Sequence, residues 1–133
     1  MKVAINSCYG GFNISDAAYE KYLELKGVTF FKEATDSPFN FINYYSVPVE
    51  KYNELYAADK KTGNYSISNG VFLSKSDIER NDPVLIQVIE EMGKESYGPY
   101  ASLDIIEIPD DVDFVVEEYD GKEWIAETHR TWS

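Results

Sequence analysis

The chain has 133 residues, and its 24 acidic against 12 basic side chains give a formal net charge of −12. Such a charge disfavours nucleic-acid polymers and anionic membranes, while 44% hydrophobic and 15% aromatic residues exclude a disordered chain. One cysteine excludes an internal disulfide, and neither an apolar leader nor a membrane-length stretch is expected, so the expected compartment is a cytoplasm.

Lys2 to Ser7 alternates, with Val3 and Ile5 pointing one way and Ala4 and Asn6 the other, and predicts a first strand. Cys8-Tyr9-Gly10-Gly11-Phe12 is a loop whose glycines permit positive φ or a close approach. Ser15 is an N-cap with Asp16 in the first turn, and the helix it opens carries Ala18, Tyr22 and Leu25 on one stripe and ends at Gly27. Val28 to Phe31 is a brief strand candidate. From Glu33 to Gly70 the periodicity degrades. Pro38, Pro48 and the polar patch Ala58 to Asn64 predict loops and short elements, with one strand or turn near Asn40 to Tyr45 and two helical turns over Val49 to Tyr56. A long excursion of this kind usually serves binding or assembly.

The strongest helix signal follows. Asp82 is an N-cap, Pro83 takes the first helical position, Leu85, Val88, Ile89 and Met92 form one apolar face, and Gly93 ends the element. The last third reads as three extended runs: Leu103 to Ile108, Phe114 to Tyr119, and Lys122 to Trp132. Asp120-Gly121 between the last two is a two-residue hairpin turn that pairs Tyr119 with Lys122, Glu117 with Trp124 and Val115 with Ala126. Both faces of that hairpin mix apolar and charged residues. The expected architecture is α+β, a mostly antiparallel sheet ending in a three-stranded meander and packed by two main helices. It forms a single domain over residues 1–133, with a long irregular excursion at about 33–70.

Candidate chemistry is sparse. A strand, a glycine turn and a helix start at Ser15 can present backbone N–H groups to an anion, but no Walker lysine follows, Asp16 would repel a phosphate, and a structural tight turn explains the same residues. Cys8 as a nucleophile would need His129, the lone histidine, beside it; otherwise it is a small packing residue. Metal ligation has only carboxylates to add to that pair. Glu118, Glu123 and Glu127 share a hairpin face, and like charges so placed mean solvent or a basic partner more often than hydrolysis. Arg80 and Arg130 are the only arginines; Arg130 stands between Trp124 and Trp132 and suits either a phosphate or an ion pair to Glu117.

The set Asn6 to Phe12 with Ser15, the Asp82-Pro83 helix, Ile106 to Asp111, Glu117 to Trp124 and His129-Arg130-Thr131-Trp132 resembles a family of small phage and prophage proteins. That family is identified with the phage anti-Thoeris sponges, which sequester a cyclic ADP-ribose signal made by bacterial TIR-domain enzymes and in some cases cyclic oligonucleotides of the CBASS type. The resemblance covers about half the chain, at its two ends. It implies a non-enzymatic nucleotide binder in the cytoplasm of an infected bacterium, a homo-oligomer built from dimers with pockets between subunits, and neither cofactor nor metal. Carried onto this chain, the glycine loop is Cys8, Tyr9, Gly10, Gly11 and Phe12, and the terminal motif spans His129, Arg130 and Trp132. The acidic charge then requires Arg80, Arg130 or a lysine to converge on the phosphates. Two other readings remain: an acidic inhibitor of a basic host protein, and a nucleotide hydrolase.

Overall fold

The computed structural model describes residues 1–34 and 41–128. The fold is α+β with antiparallel sheets. It divides into two compact units, Met1–Tyr22 with Ile78 onward, and Leu23–Asp77. Among the described residues no helix is long and apolar enough to cross a membrane.

The first unit is organised on β1 (Lys2–Asn6), in which Val3, Ala4, Ile5 and Asn6 are all buried. Both faces of the strand therefore lie inside. One edge of β1 pairs antiparallel with β5 (Leu103–Glu107), Val3 against Ile106 and Ile5 against Asp104. The ladder continues past Lys2, where Met1 and Ile108 exchange backbone hydrogen bonds at 2.8 Å in both directions. The N-terminal ammonium also pairs with Asp110, and that hydrogen bond holds the Asp110 carboxyl below the usual carboxylate range.

Two helices belong here. α1 (Asp16–Leu25) opens where the Ser15 hydroxyl accepts from the Ala18 N–H at 3.1 Å, the expected cap; the boundary between the two units falls inside this helix. α4 (Pro83–Met92) opens where Asp82 accepts from the Val84 N–H at 2.8 Å and closes at Gly93. Its Leu85, Ile86, Val88 and Ile89 are buried, and it packs on β1. Tyr22 donates to the other Asp82 oxygen at 2.7 Å, and burial together with that bond holds its hydroxyl above the usual range.

β6 (Phe114–Tyr119) and β7 (Lys122–Glu127) form the expected hairpin in the expected register. Asp120 at φ 52° and Gly121 at φ 90° supply the two positive angles a type I′ turn demands. All three C-terminal runs are strands, but they do not form a meander. β5 is taken by β1, and β6–β7 stands as a two-stranded sheet. Adjacency in sequence favoured β5 beside β6. The apolar strand β1 offers β5 a more deeply buried partner than β6 does, and Met1 occupies the backbone groups of Ile108.

The second unit holds the three-stranded sheet: β2 (Phe31–Ala34), β3 (Ile42–Tyr45) and β4 (Phe72–Leu73), in the order β2-β3-β4. The excursion expected to be irregular is therefore largely folded. α2 runs from Val49 to Thr62 and ends at Gly63, φ 77°, and α3 follows over Ser66–Val71. Buried Asp59 on α2 accepts from the Ser68 N–H at 2.8 Å and so caps the first turn of α3. Tyrosines supply the core: Tyr44 and Tyr45 are buried, and Tyr45 lies 4.2 Å from Tyr52 and 5.6 Å from Phe72, ring centre to ring centre. Tyr52, one helical turn before Tyr56, lies 6.1 Å from it, and Tyr56 lies 5.5 Å from Tyr65. Part of the tyrosine excess is thus core rather than ligand or interface surface.

Candidate functional site

β1 pairs with β5 through Val3 and Ile5, so the N–H groups of Ala4 and Asn6 face its other edge, which no strand among the described residues pairs with in a ladder. One backbone carbonyl and one side chain close that edge. The Ala4 N–H donates to the Arg80 carbonyl at 2.8 Å, and the Asn6 N–H donates to Glu123 Oε1 at 2.8 Å. Arg80 and Glu123 then bind each other, Nη1 to Oε1 at 2.6 Å and Nη2 to Oε2 at 2.9 Å. This is the bidentate fork that arginine geometry favours. Arg80 Nη1 also reaches the Ala4 carbonyl at 3.4 Å, and the guanidinium carbon lies 3.6 Å from the centre of the Phe12 ring. The Glu123 side chain is 8% exposed, and Arg80 and the Asn6 amide satisfy its oxygens.

Asn6 fixes the glycine loop from below. Its side chain is fully buried and fully used: Nδ2 donates to the Cys8 carbonyl at 2.6 Å and the Gly121 carbonyl at 2.8 Å, and Oδ1 accepts from the Ser102 N–H at 2.9 Å and the Cys8 thiol at 3.4 Å. One amide thus joins the first strand, the Cys8 loop, the hairpin turn and the segment entering β5. Asn6 was not among the expected site residues. Its signal in the sequence is a carboxamide within an otherwise apolar strand.

The loop itself is packed backbone to backbone. A Cβ on Gly10 would collide with the Tyr100 carbonyl oxygen, and one on Gly121 would fall 2.6 Å from the Gly11 nitrogen and 2.7 Å from the Tyr9 oxygen. Both positions therefore require glycine for close approach. Cys8 is half-buried and its thiol donates to the Tyr100 carbonyl at 3.1 Å. Tyr100 adopts φ 62°, a left-handed angle rare for an aromatic residue, while its ring is 87% exposed. Tyr9 is 62% exposed, and the Lys122 ammonium stands 5.6 Å from the centre of its ring.

The expected residues Cys8, Tyr9, Gly10, Gly11, Phe12 and Arg80 thus come together around the hairpin turn. His129, Arg130 and Trp132 lie outside the described residues. The hairpin-face carboxylates have separate tasks: Glu118 accepts from the Gly121 N–H at 3.0 Å, and Glu123 holds Arg80. Glu117, the partner considered for Arg130, accepts from the Trp124 indole at 3.1 Å. Among the described residues no three His, Cys, Asp or Glu side chains are grouped to hold a metal ion. Two clefts lie elsewhere in this unit. One of about 450 Å³ opens where β5 and β6 do not pair, among Ile106, Ile108, Phe114, Trp124 and Ile125. The other, of about 590 Å³, is bordered by Met1, Lys2, Asn81 and α4.

The chain matches no protein-family model, no curated protein and no solved structure.

Proposed function

We propose that this is a phage-encoded sponge: it binds a cyclic nucleotide immune messenger, a cyclic ADP-ribose isomer or a cyclic oligonucleotide, and releases it unaltered. The observation that carries the reading is Tyr100. A non-glycine residue held at positive φ costs about 1–3 kcal/mol, and such strain gathers at binding sites. The ring it displays is 87% exposed, so packing of the ring does not account for the conformation. Tyr9 is displayed from the adjoining loop, and Asn6, Gly10 and Gly121 lock both backbones in place. Two aromatic rings on a rigid mount suit the flat face of a purine, since a preformed surface spares the ligand the cost of ordering it.

The resemblance at the two ends of the chain supplies the messenger class and the site of action, the cytoplasm of the infected host. The same resemblance makes the working form a homo-oligomer. Exposed Val115, Tyr119 and Trp124 on β6–β7 and Phe31, Tyr56, Ile67 and Phe72 in the second unit offer apolar surface for assembly. The test is calorimetry of the purified oligomer with cyclic ADP-ribose and cyclic di-AMP, followed by chromatography of the recovered ligand. Submicromolar binding and unchanged ligand support the reading; product peaks would turn it toward a hydrolase.

A second reading is an acidic inhibitor that docks on a basic host protein. It is favoured by Trp124 and Val115, exposed on the same hairpin face as Glu117. It predicts no nucleotide binding and a salt-sensitive complex that Trp124→Ser weakens.

A further inference from the structure

The loop needs a cation if an anionic ligand is to sit on it, and the two arginines were the sequence's candidates. Arg80 is not available for that task. Both terminal nitrogens are on Glu123, one of them also reaches the Ala4 carbonyl, and its flat face lies on Phe12. Turning it toward a ligand would strand a carboxylate that is 8% exposed.

Lys122 has the opposite character. It follows the turn directly, is exposed, and makes no ion pair among the described residues. Its ammonium is 5.6 Å from the Tyr9 ring centre. Of the carboxylates about the turn, Glu118 accepts from the Gly121 N–H, and neither Glu118 nor Asp120 forms an ion pair with Lys122. The base of Lys122 is fixed as well: it pairs with Tyr119 across the hairpin, and Gly121 next to it is tied to Asn6 and packed on the Tyr9 and Gly11 backbone. An exposed aromatic ring with an ammonium over it suits one chemical class, a planar heterocycle carrying a phosphate, in which the phosphate draws the ammonium off the ring as the base stacks.

Resting on the sponge reading, we infer that Lys122 is the phosphate-holding cation of the site and Tyr9 the ring on which the base stacks. Arg80 is the brace that keeps Phe12, β1 and the hairpin together. In a protein of net charge −12 a single unpaired lysine at the ligand's edge gives local positive potential without a basic surface.

Calorimetry with cyclic ADP-ribose and cyclic di-AMP on the full-length oligomer tests this. The variants are Lys122→Gln, Lys122→Arg and Tyr9→Leu, each with its melting curve. Lys122→Gln is expected to weaken binding about 10- to 50-fold with an unchanged melting temperature. Lys122→Arg is expected to stay within about threefold of wild type, because the charge is kept. Tyr9→Leu is expected to lose about tenfold through stacking. If wild type binds and Lys122→Gln binds within twofold of it, the assignment of Lys122 is overturned while the sponge reading stands. If wild type binds neither probe, both are overturned.

Discussion

Arg80 and Glu123 form a bidentate ion pair, 2.6 and 2.9 Å, that also completes the unpaired edge of β1: Arg80 offers its carbonyl to Ala4 and Glu123 its carboxylate to Asn6. The pair therefore ties the first strand, the segment before α4 and the β6–β7 hairpin into one body.

Removing one partner leaves the other charge buried. Arg80→Gln is expected to destabilise the fold by about 3 kcal/mol, since a buried carboxylate loses its counter-ion. The double variant Arg80→Met/Glu123→Leu should recover much of that loss, because no unpaired charge remains. Urea unfolding of the single and double variants measures both. A double variant as unstable as the sum of the singles would mean that the two residues act independently.

The two loop glycines should fail for different reasons and to different degrees. Gly11 has φ 91° but open space around its Cα, so Gly11→Ala carries only the left-handed penalty, about 1–2 kcal/mol. Gly10 faces the Tyr100 carbonyl with no room for a methyl group, so Gly10→Ala must separate the loop from Tyr100. It is expected to lower the melting temperature several-fold more than Gly11→Ala and to abolish ligand binding. Thermal melts of the two variants decide this, and equal losses would contradict the close packing.

In the second unit, burial first and the neighbouring Glu33 carboxylate next push the Tyr45 hydroxyl up to about 12, from an ordinary value near 10. The proton is therefore held more tightly in the folded chain. The sign follows: this contribution is fully present below about pH 10 and is lost as the pH rises from about 10 to about 12. Alkaline titration followed by tyrosinate absorbance should show loss of Leu23–Asp77 structure in that window. Tyr45→Phe should move the onset upward, and an unchanged onset would assign the transition to other groups.

What was legible in the sequence was local. Asp120-Gly121 set the hairpin register, and Asp82-Pro83 and Ser15 marked helix starts, because each signal lies within a few residues of its effect. What escaped was carried by distant partners. Residues 2–6 chose residues 103–107, so the meander was lost. The role of Asn6 is not visible in the sequence because Cys8, Ser102 and Gly121, which satisfy it, converge only in the fold. Glu123 looked like one of several repelling carboxylates until Arg80 arrived from 43 residues away. The far half of α2 has the pattern of a polar loop although Ala57, Ala58, Lys60 and Lys61 are good helix formers; the helix meets the core through Tyr52, which packs on Tyr45, rather than through an aliphatic stripe. The Cys8 loop is distinctive in sequence as either an anion cradle or a structural tight turn, and its backbone is mainly occupied in holding the hairpin turn and Tyr100.

Nucleotide carriage is tested most directly on protein taken from cells that make a cyclic ADP-ribose messenger. The purified protein is denatured and the released small molecules are identified by mass spectrometry. The expected result is an intact cyclic nucleotide in near-stoichiometric amount from wild type and a much reduced amount from Lys122→Gln. Folded oligomer that releases no nucleotide, and that binds neither cyclic ADP-ribose nor cyclic di-AMP at concentrations up to ~100 μM, would contradict it.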